Sequence, residues 1–245
     1  MIAAAIPIYN EAAAIGGLVA ATRKQVDEVL VVDDGSTDVG VRVAEAAGAT
    51  VLRLPRNLGK GAALQAGLAW ARNRAGVNQL VLLDGDGQHD PADIGRFLDA
   101  ARERSLDIVV GSRFLGQNNA PLYRLFGLHV LTAAAALGSG IRLTDSQSGY
   151  RLLSRRAIDE LFVRERAFAV ETEMQFVAAR AGLQMGEIPI AIRYAGPARR
   201  SPVVHGVSVL LQTIKMTALR RPWRLPLLIA TPLLAIRFGR TRRAN

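Results

Sequence analysis

Gln79-Leu80-Val81-Leu82-Leu83-Asp84-Gly85-Asp86-Gly87-Gln88-His89-Asp90-Pro91 joins an apolar run to a polar turn and then to a helix start. The apolar run, with no polar alternation, reads as a strand buried on both faces of a parallel sheet. Asp90 followed by Pro91 reads as an N-cap with proline at the first helical position. Asp84, Asp86 and Gln88 therefore sit in a strand-to-helix loop at the carboxyl end of a strand, where open α/β sheets bind ligands. Their oxygens are hard donors suited to Mg²⁺ or Mn²⁺, ions that keep water and share their shell with phosphates. A lone D-x-D turn is better explained as an acidic helix cap. The rest of the chain changes that balance.

Outward from this loop, strand signals alternate with helical ones. Ile2 to Ile8 reads as a strand and about 12–24 as a helix. Glu28 to Val32 is a strand, followed by an Asp/Gly/Ser turn and a helix through Ala47. Thr50 to Leu54 precedes a Gly-rich loop and an Ala-rich helix over 60–74. A helix over 91–104 and a strand from Asp107 to Val110 complete the regular part. This βαβα rhythm predicts a mostly parallel sheet flanked by helices. Beyond 111 the pattern loosens: an apolar helix over 121–138, a polar turn with Ser148 to Leu153, helices near 155–162 and 171–182, and a last strand from Glu187 to Tyr194. Ala195 to Pro202, with Gly196, two prolines and two arginines, reads as a loop and a boundary. The expected organisation is a catalytic α/β domain over 1–200 and a basic, apolar, helical tail over 201–245.

The 245 residues carry a net charge of +10, unevenly placed. From residue 199 onward there are ten basic residues and no acid, which leaves 21 basic against 21 acidic residues in the first 198. A basic tail attracts nucleic acid or an anionic membrane. This one is too apolar for a nucleic-acid arm, with Val207 to Leu211, Trp223 and the stretch from Leu225 to Phe238. That stretch contains Pro226, Pro232 and Arg237 and is shorter than the ~20 residues a spanning helix needs, so it reads as interfacial. The alternative is a helix packed on the protein's own core or on a partner. The chain has no cysteine, which removes disulfides and thiolate metal sites and permits a cytosolic setting. Met1 leads straight into an apolar strand without a basic segment, unlike a secretory signal. Localisation at the inner face of the cell membrane, peripherally attached, is the expectation.

Other polar groups gather at the same sheet edge. Tyr9 and Glu11 follow the first strand, and Asp33 ends the second, where it could accept hydrogen bonds from a base or ribose. Asp33 to Asp38 is equally a capped turn, and Asp38 reads as a cap. Asn57-Leu58-Gly59-Lys60-Gly61 opens a helix whose free N–H groups favour anions, but it lacks Walker spacing. No G-x-G-x-x-G follows a strand, so a nicotinamide or ATP-dependent chemistry has no support. Arg113 brings a fixed cation suited to phosphate. Asp145 to Arg151 is a second polar cluster. Glu171 and Glu173 open a helix, where acids are as often dipole partners as ligands. With His89, His129 and His205 alone, no histidine-rich metal site is available.

Taken in order, P-x-Y-N-E (7–11), V-V-D-D-G-S-T-D (31–38), N-x-G-K-G (57–61), L-D-x-D-G-Q-x-x-P (83–91), G-S-R (111–113) and D-x-Q-S-G-Y-R (145–151) resemble the family 2 glycosyltransferases of the GT-A fold. The nearest branch is the dolichol-phosphate mannosyltransferase type, which acts on polyprenyl phosphates. The resemblance covers about residues 2–206. It implies a nucleotide-sugar donor, a divalent cation (Mg²⁺ or Mn²⁺) and inverting transfer to a lipid phosphate. It implies that Pro7, Tyr9, Glu11, Val31 and Asp33 line the nucleotide pocket, that Asp84, Asp86 and Gln88 hold the metal, and that Gly85 lies close to the sugar nucleotide. Arg113 matches a phosphate-contacting arginine, and Glu187-Ile188-Pro189-Ile190 matches the strand before the acceptor loop. In that loop the chain reads Arg199-Arg200-Ser201-Pro202-Val203-Val204-His205-Gly206, more similar to prokaryotic members. Arg193, Arg199 and Arg200 are the candidates for positioning an acceptor phosphate. Such an acceptor is already anionic and needs no strong base; for a sugar hydroxyl, Asp145 is the first candidate base. The other readings are transfer to a saccharide or non-prenyl lipid, and a catalytically silent membrane-binding module.

Overall fold

The structure, a computed structural model, describes residues 1–115, 122–165, 169–192 and 202–220, with side chains described for all of these except 122–126, 202–208 and 220. The elements in chain order are β1 (Ile2–Ile8), α1 (Ala12–Thr22), β2 (Glu28–Asp33), α2 (Gly40–Ala46), β3 (Thr50–Arg53), α3 (Lys60–Asn73), β4 (Gln79–Leu82), α4 (Ile94–Glu103), β5 (Ile108–Ser112), α5 (Leu122–Ser139), β6 (Arg151–Ser154), α6 (Arg155–Glu160), α7 (Val170–Ala181), β7 (Met185–Pro189) and α8 (Pro202–Arg220). Among the described residues the strands form one sheet in the order β3-β2-β1-β4-β6-β5-β7. β6 runs antiparallel to both β4 and β5, and the other pairings are parallel. The expected mostly parallel α/β sheet is therefore present, with one reversed strand inside it.

Each apolar run supplies both faces of the sheet, because successive side chains alternate across it. Ala3, Ala5, Leu30, Val32, Leu80, Leu82 and Val110 pack on the side covered by α3, α6 and α7. Ala4, Ile6, Val31, Val81, Val109 and Leu152 pack on the side covered by α1, α2 and α4. The Asp90–Pro91 start is present: the Ala92 N–H donates to Asp90 Oδ1 (3.0 Å) over a 3₁₀ turn, Pro91–Asp93, that leads into α4. At α8, Val209, Thr213, Met216 and Thr217 are buried where the helix lies on α5 and α7. Leu211 and Leu219 face outward.

One expectation needs correction. The last strand is Met185–Pro189 rather than one beginning at Glu187, because it follows the parallel register from Ile108↔Met185 to Ser112↔Pro189. The segment after the polar turn at 145–150 is a reversed strand, β6, paired from Gln79↔Ser154 to Leu82↔Arg151. That reversal places the 145–150 turn at the same edge of the sheet as the loop after β4. Arg193, Arg199, Arg200, Trp223 and the stretch 225–238 lie outside the described residues.

Phe97 of α4 is fully buried, with its ring 4.3 Å from that of Tyr150 beneath this edge. Phe97→Ala is expected to cost about 3–5 kcal/mol through lost burial and a residual cavity, read as a shift in the urea unfolding midpoint.

Candidate active site

The ends of β1 and β2 are locked together before any ligand arrives. Asn10 adopts a left-handed backbone (φ 56°), and its side-chain oxygen accepts the N–H groups of Thr37 (2.9 Å) and Asp38 (3.3 Å). Asp38 accepts from Ala12 at the start of α1 and from Gly40, which is the capping role expected of it. Asp33 is fully buried; Oδ1 accepts the Ser36 N–H at 2.9 Å, and Oδ2 lies 3.0 Å from Arg53 Nε in an ion pair without hydrogen-bond alignment. Its neighbour Asp34, passed over in the sequence, holds the Gly-rich loop: Leu58 and Gly59 donate their N–H groups to its two oxygens (2.7 and 2.9 Å). Tyr9 is exposed beside these loops, and Pro7 and Glu11 are partly exposed. Val31 differs from the others. It is buried in the apolar layer under α1 and α2, two residues short of the edge.

The loop after β4 meets residues from two distant segments. Asp84 Oδ1 lies 2.6 Å from the ammonium of Lys60, the first residue of α3, and Lys60 lies 2.7 Å from Glu171 Oε1 in the first turn of α7. Burial works to lower the Lys60 pKa, but the two carboxylates outweigh it and hold the ammonium above its ordinary range. Burial works to raise the Asp84 pKa, and Lys60, His89 and Arg113 outweigh that, keeping the carboxyl below its ordinary range. Two glycines make this packing possible. A Cβ on Gly85 would lie 2.7 Å from both Pro7 O and Ile8 Cγ2, and one on Gly149 would lie 2.5 Å from both Asp84 oxygens. The close approach of Gly85 to the β1 backbone thus requires a residue without a side chain, and a side chain at Gly149 would displace the Asp84 carboxylate.

Asp86 Oδ1 accepts the Gln88 N–H at 3.0 Å, folding the loop back on itself. Asp84, Asp86 and Gln88 offer oxygen donors only, which fits a hard divalent ion and no soft one. Among the described residues no group of three or more His, Cys, Asp or Glu is assembled as a cage. Two carboxylates and an amide oxygen suit an ion that completes its shell with water and phosphate. His89 is buried, its ring stacked on Tyr150 at 5.0 Å, with no hydrogen-bond partner for Nδ1 among the described residues. The Tyr150 hydroxyl donates to Asp90 O at 3.1 Å, so this stack fastens the loop to the aromatic packing below.

On the far side of β4, Arg113 at the end of β5 forms a two-pronged pair with Asp145: Nε to Oδ2 at 2.6 Å and Nη2 to Oδ1 at 2.7 Å, with the Arg113 N–H also donating to Oδ2 (3.1 Å). Asp145 is fully buried. Its own N–H donates to Glu187 Oε1 (2.9 Å), and the Thr144 N–H donates to Oε2 (2.6 Å), so Glu187 on β7 holds the turn that carries it. Arg151 is fully buried and donates to the carbonyls of Ser146, Ser148 and Glu171 (2.8, 3.0 and 3.2 Å). Asp33, Asp84, Asp86, Gln88, Arg113 and Asp145 therefore share one edge. Lys60, Glu171, Glu187 and Arg151 join them without having been assigned there from the sequence. A lysine directly after a helix-opening glycine was the available signal for Lys60; for the others the signal lies in pairings distant along the chain.

Residues 4–162 match the family model described as "Glycosyl transferase family 2". The chain belongs to that family. This glycosyltransferase is 33% identical over 220 residues to the undecaprenyl-phosphate mannosyltransferase of Micrococcus luteus, covering 84% of this chain and 89% of that one. It is 30% identical over 236 residues to the UDP-N-acetylglucosamine–dolichyl-phosphate N-acetylglucosaminyltransferase of Methanococcus voltae, covering 86% and 94%. Its fold is similar to that of glucosyl-3-phosphoglycerate synthase from Mycobacterium tuberculosis, crystallised with Mn²⁺, UDP and glucosyl-3-phosphoglycerate, with TM-score 0.71, 21% identity, and coverage of 89% of this chain and 80% of that one. The GT-A architecture anticipated from the motifs is thus present.

Burial holds the His89 pKa below its ordinary 6.5, against the pull of Asp84 and Asp86, so folding disfavours the protonated imidazole. Unfolding restores the ordinary value, so at lower pH the unfolded chain binds the extra proton and stability falls as pH drops through that value. The glycosyltransferase should lose melting temperature between about pH 7.5 and 5.5, and His89→Gln should lose less over the same interval; thermal denaturation followed by circular dichroism measures both.

Proposed function

We propose that this glycosyltransferase transfers a sugar from a nucleoside-diphosphate sugar to a polyprenyl phosphate at the cytoplasmic face of the membrane, with Mg²⁺ or Mn²⁺ bound by Asp84, Asp86 and Gln88. The observation that carries the reading is the state of Asp145. Both of its carboxylate oxygens are taken by Arg113, and Glu187 holds its backbone, so the acid best placed to serve as a base is instead a positioning group. A site arranged in this way suits an acceptor that arrives already deprotonated, as a phosphate does. The names of the Micrococcus and Methanococcus relatives supply the same acceptor class.

A bound divalent ion would supply Lewis-acid neutralisation of the charge developing on the leaving diphosphate. Arg113, oriented by Asp145, adds a preorganised cation on the same edge, which needs no rearrangement as charge develops. Asp33, Tyr9, Pro7 and Glu11 are proposed to hold the nucleoside, with Val31 forming the apolar floor beneath Asp33. As an acceptor phosphate oxygen bonds to the anomeric carbon, the bond from that carbon to the diphosphate breaks, with inversion. Arg193, Arg199 and Arg200 are proposed to hold the acceptor phosphate. β7 ends at the edge that carries Arg113, where the Ile190 N–H donates to Ser112 O (3.0 Å). Among the described residues no helix is long and apolar enough to cross a membrane. The outward Leu211 and Leu219 of α8, with Lys215 on the same exposed side and the basic tail over 201–245, support attachment to an anionic surface.

Purified protein incubated with Mn²⁺ or Mg²⁺, a panel of nucleotide sugars and a polyprenyl phosphate should form a glycolipid. Asp86→Asn should lower that rate by about 100-fold or more with the fold intact; full activity in this variant would sink the metal assignment. Asp145→Asn should lower kcat/KM by roughly tenfold or more while leaving the shape of the pH profile unchanged. Loss of the acidic limb of that profile would instead mark Asp145 as the base, and transfer to a saccharide but not to the lipid phosphate would overturn the acceptor.

A further inference from the structure

Lys60 opens a helix whose start, read in sequence, favours anions, yet in the structure its side chain is engaged by carboxylates. Its ammonium lies between Asp84 Oδ1 (2.6 Å) and Glu171 Oε1 (2.7 Å), with the side chain mostly buried. Gly149 packs so close to the Asp84 carboxylate that a Cβ there would lie 2.5 Å from both of its oxygens. Asp34 holds the loop before Lys60 through the Leu58 and Gly59 N–H groups, so the base of the lysine is fixed as well. A divalent ion taking Asp84 would therefore approach a carboxylate already in contact with a cation, in a site where charges are poorly screened. Lys60 is also the first residue of α3, where helix N–H groups and dipole favour an anion. A diphosphate arriving with the ion offers the ammonium a new partner in that same place.

We propose that Lys60 is a built-in counter-cation that resists the entry of a free divalent ion at Asp84 and yields when the ion arrives with the donor's diphosphate, so that metal and donor bind as a coupled pair. The proposal rests on the reading of Asp84, Asp86 and Gln88 as metal ligands. It makes Lys60 a positioning residue for the metal, and Glu171 the carboxylate that keeps the ammonium in place.

The test is Mn²⁺ binding to the full chain, measured by electron paramagnetic resonance of the free ion, with no nucleotide and with UDP or GDP. The wild-type protein should bind Mn²⁺ at least about tenfold more tightly when the matching nucleotide is present. Lys60→Met should bind Mn²⁺ alone about tenfold more tightly than wild type, and its gain from nucleotide should shrink. The double variant Lys60→Met/Glu171→Gln removes one charge of each sign and leaves no unpaired Glu171 carboxylate. It should show the same tightening, which separates release of Asp84 from a mere change in net charge. Nucleotide-dependent Mn²⁺ binding by the wild type, with no tightening in either Lys60 variant, would overturn the counter-cation role and leave the metal site standing. Absence of Mn²⁺ binding in every protein and condition would overturn the metal site and the proposal with it.

Discussion

Carboxylates gathered at the end of an apolar sheet must each find a cation or a set of N–H donors, and most of the local structure at this edge follows from that constraint. Asp34 is satisfied by two backbone N–H groups, Asp145 by a guanidinium, Asp84 by an ammonium and Glu187 by the turn at 144–145. These pairings tie the loops after β2, β3, β4 and β5 to the turn before β6 and, through Lys60, to the start of α7. The edge is therefore organised by its own charges, and its groups are oriented without a ligand.

The parts of the fold that could be read from the sequence are those determined within a few residues. The βαβα rhythm, the buried run at 79–83 and the Asp90–Pro91 cap each depend on local pattern and emerged where expected. β6 was opaque because four residues, Arg151 to Ser154, carry little periodicity, and their direction is decided by pairing with β4 and β5. The last strand begins two residues earlier and ends five residues earlier than expected, because the register with β5, and not the apolar character of 190–192, determines where pairing ends.

The site divides in the same way. Asp84, Asp86, Gln88, Asp33 and Arg113 stand at strand ends, so their shared edge could be inferred once the sheet was expected to be parallel. Their partners could not. Glu171 looked like an acid in a first helical turn until Lys60 was found against it, and Asp145 looked like a free carboxylate until Arg113 closed on both of its oxygens. Val31 is a different case: a position carried over with its motif packs in the apolar layer beneath the edge, under Asp33.

The reversed strand has a consequence for how such an enzyme can diversify. The loops proposed to grip the donor belong to β1 through β4, whereas Asp145, Arg151, Glu171 and the approach to the acceptor segment belong to chain that follows β5. Because β6 inserts between β4 and β5, these two stretches interlock at one seam, where Gly149 abuts Asp84 and Lys60 bridges to Glu171. On the proposed assignment, acceptor preference can drift through the later stretch without disturbing nucleotide recognition in the earlier one, provided the few residues at that seam persist.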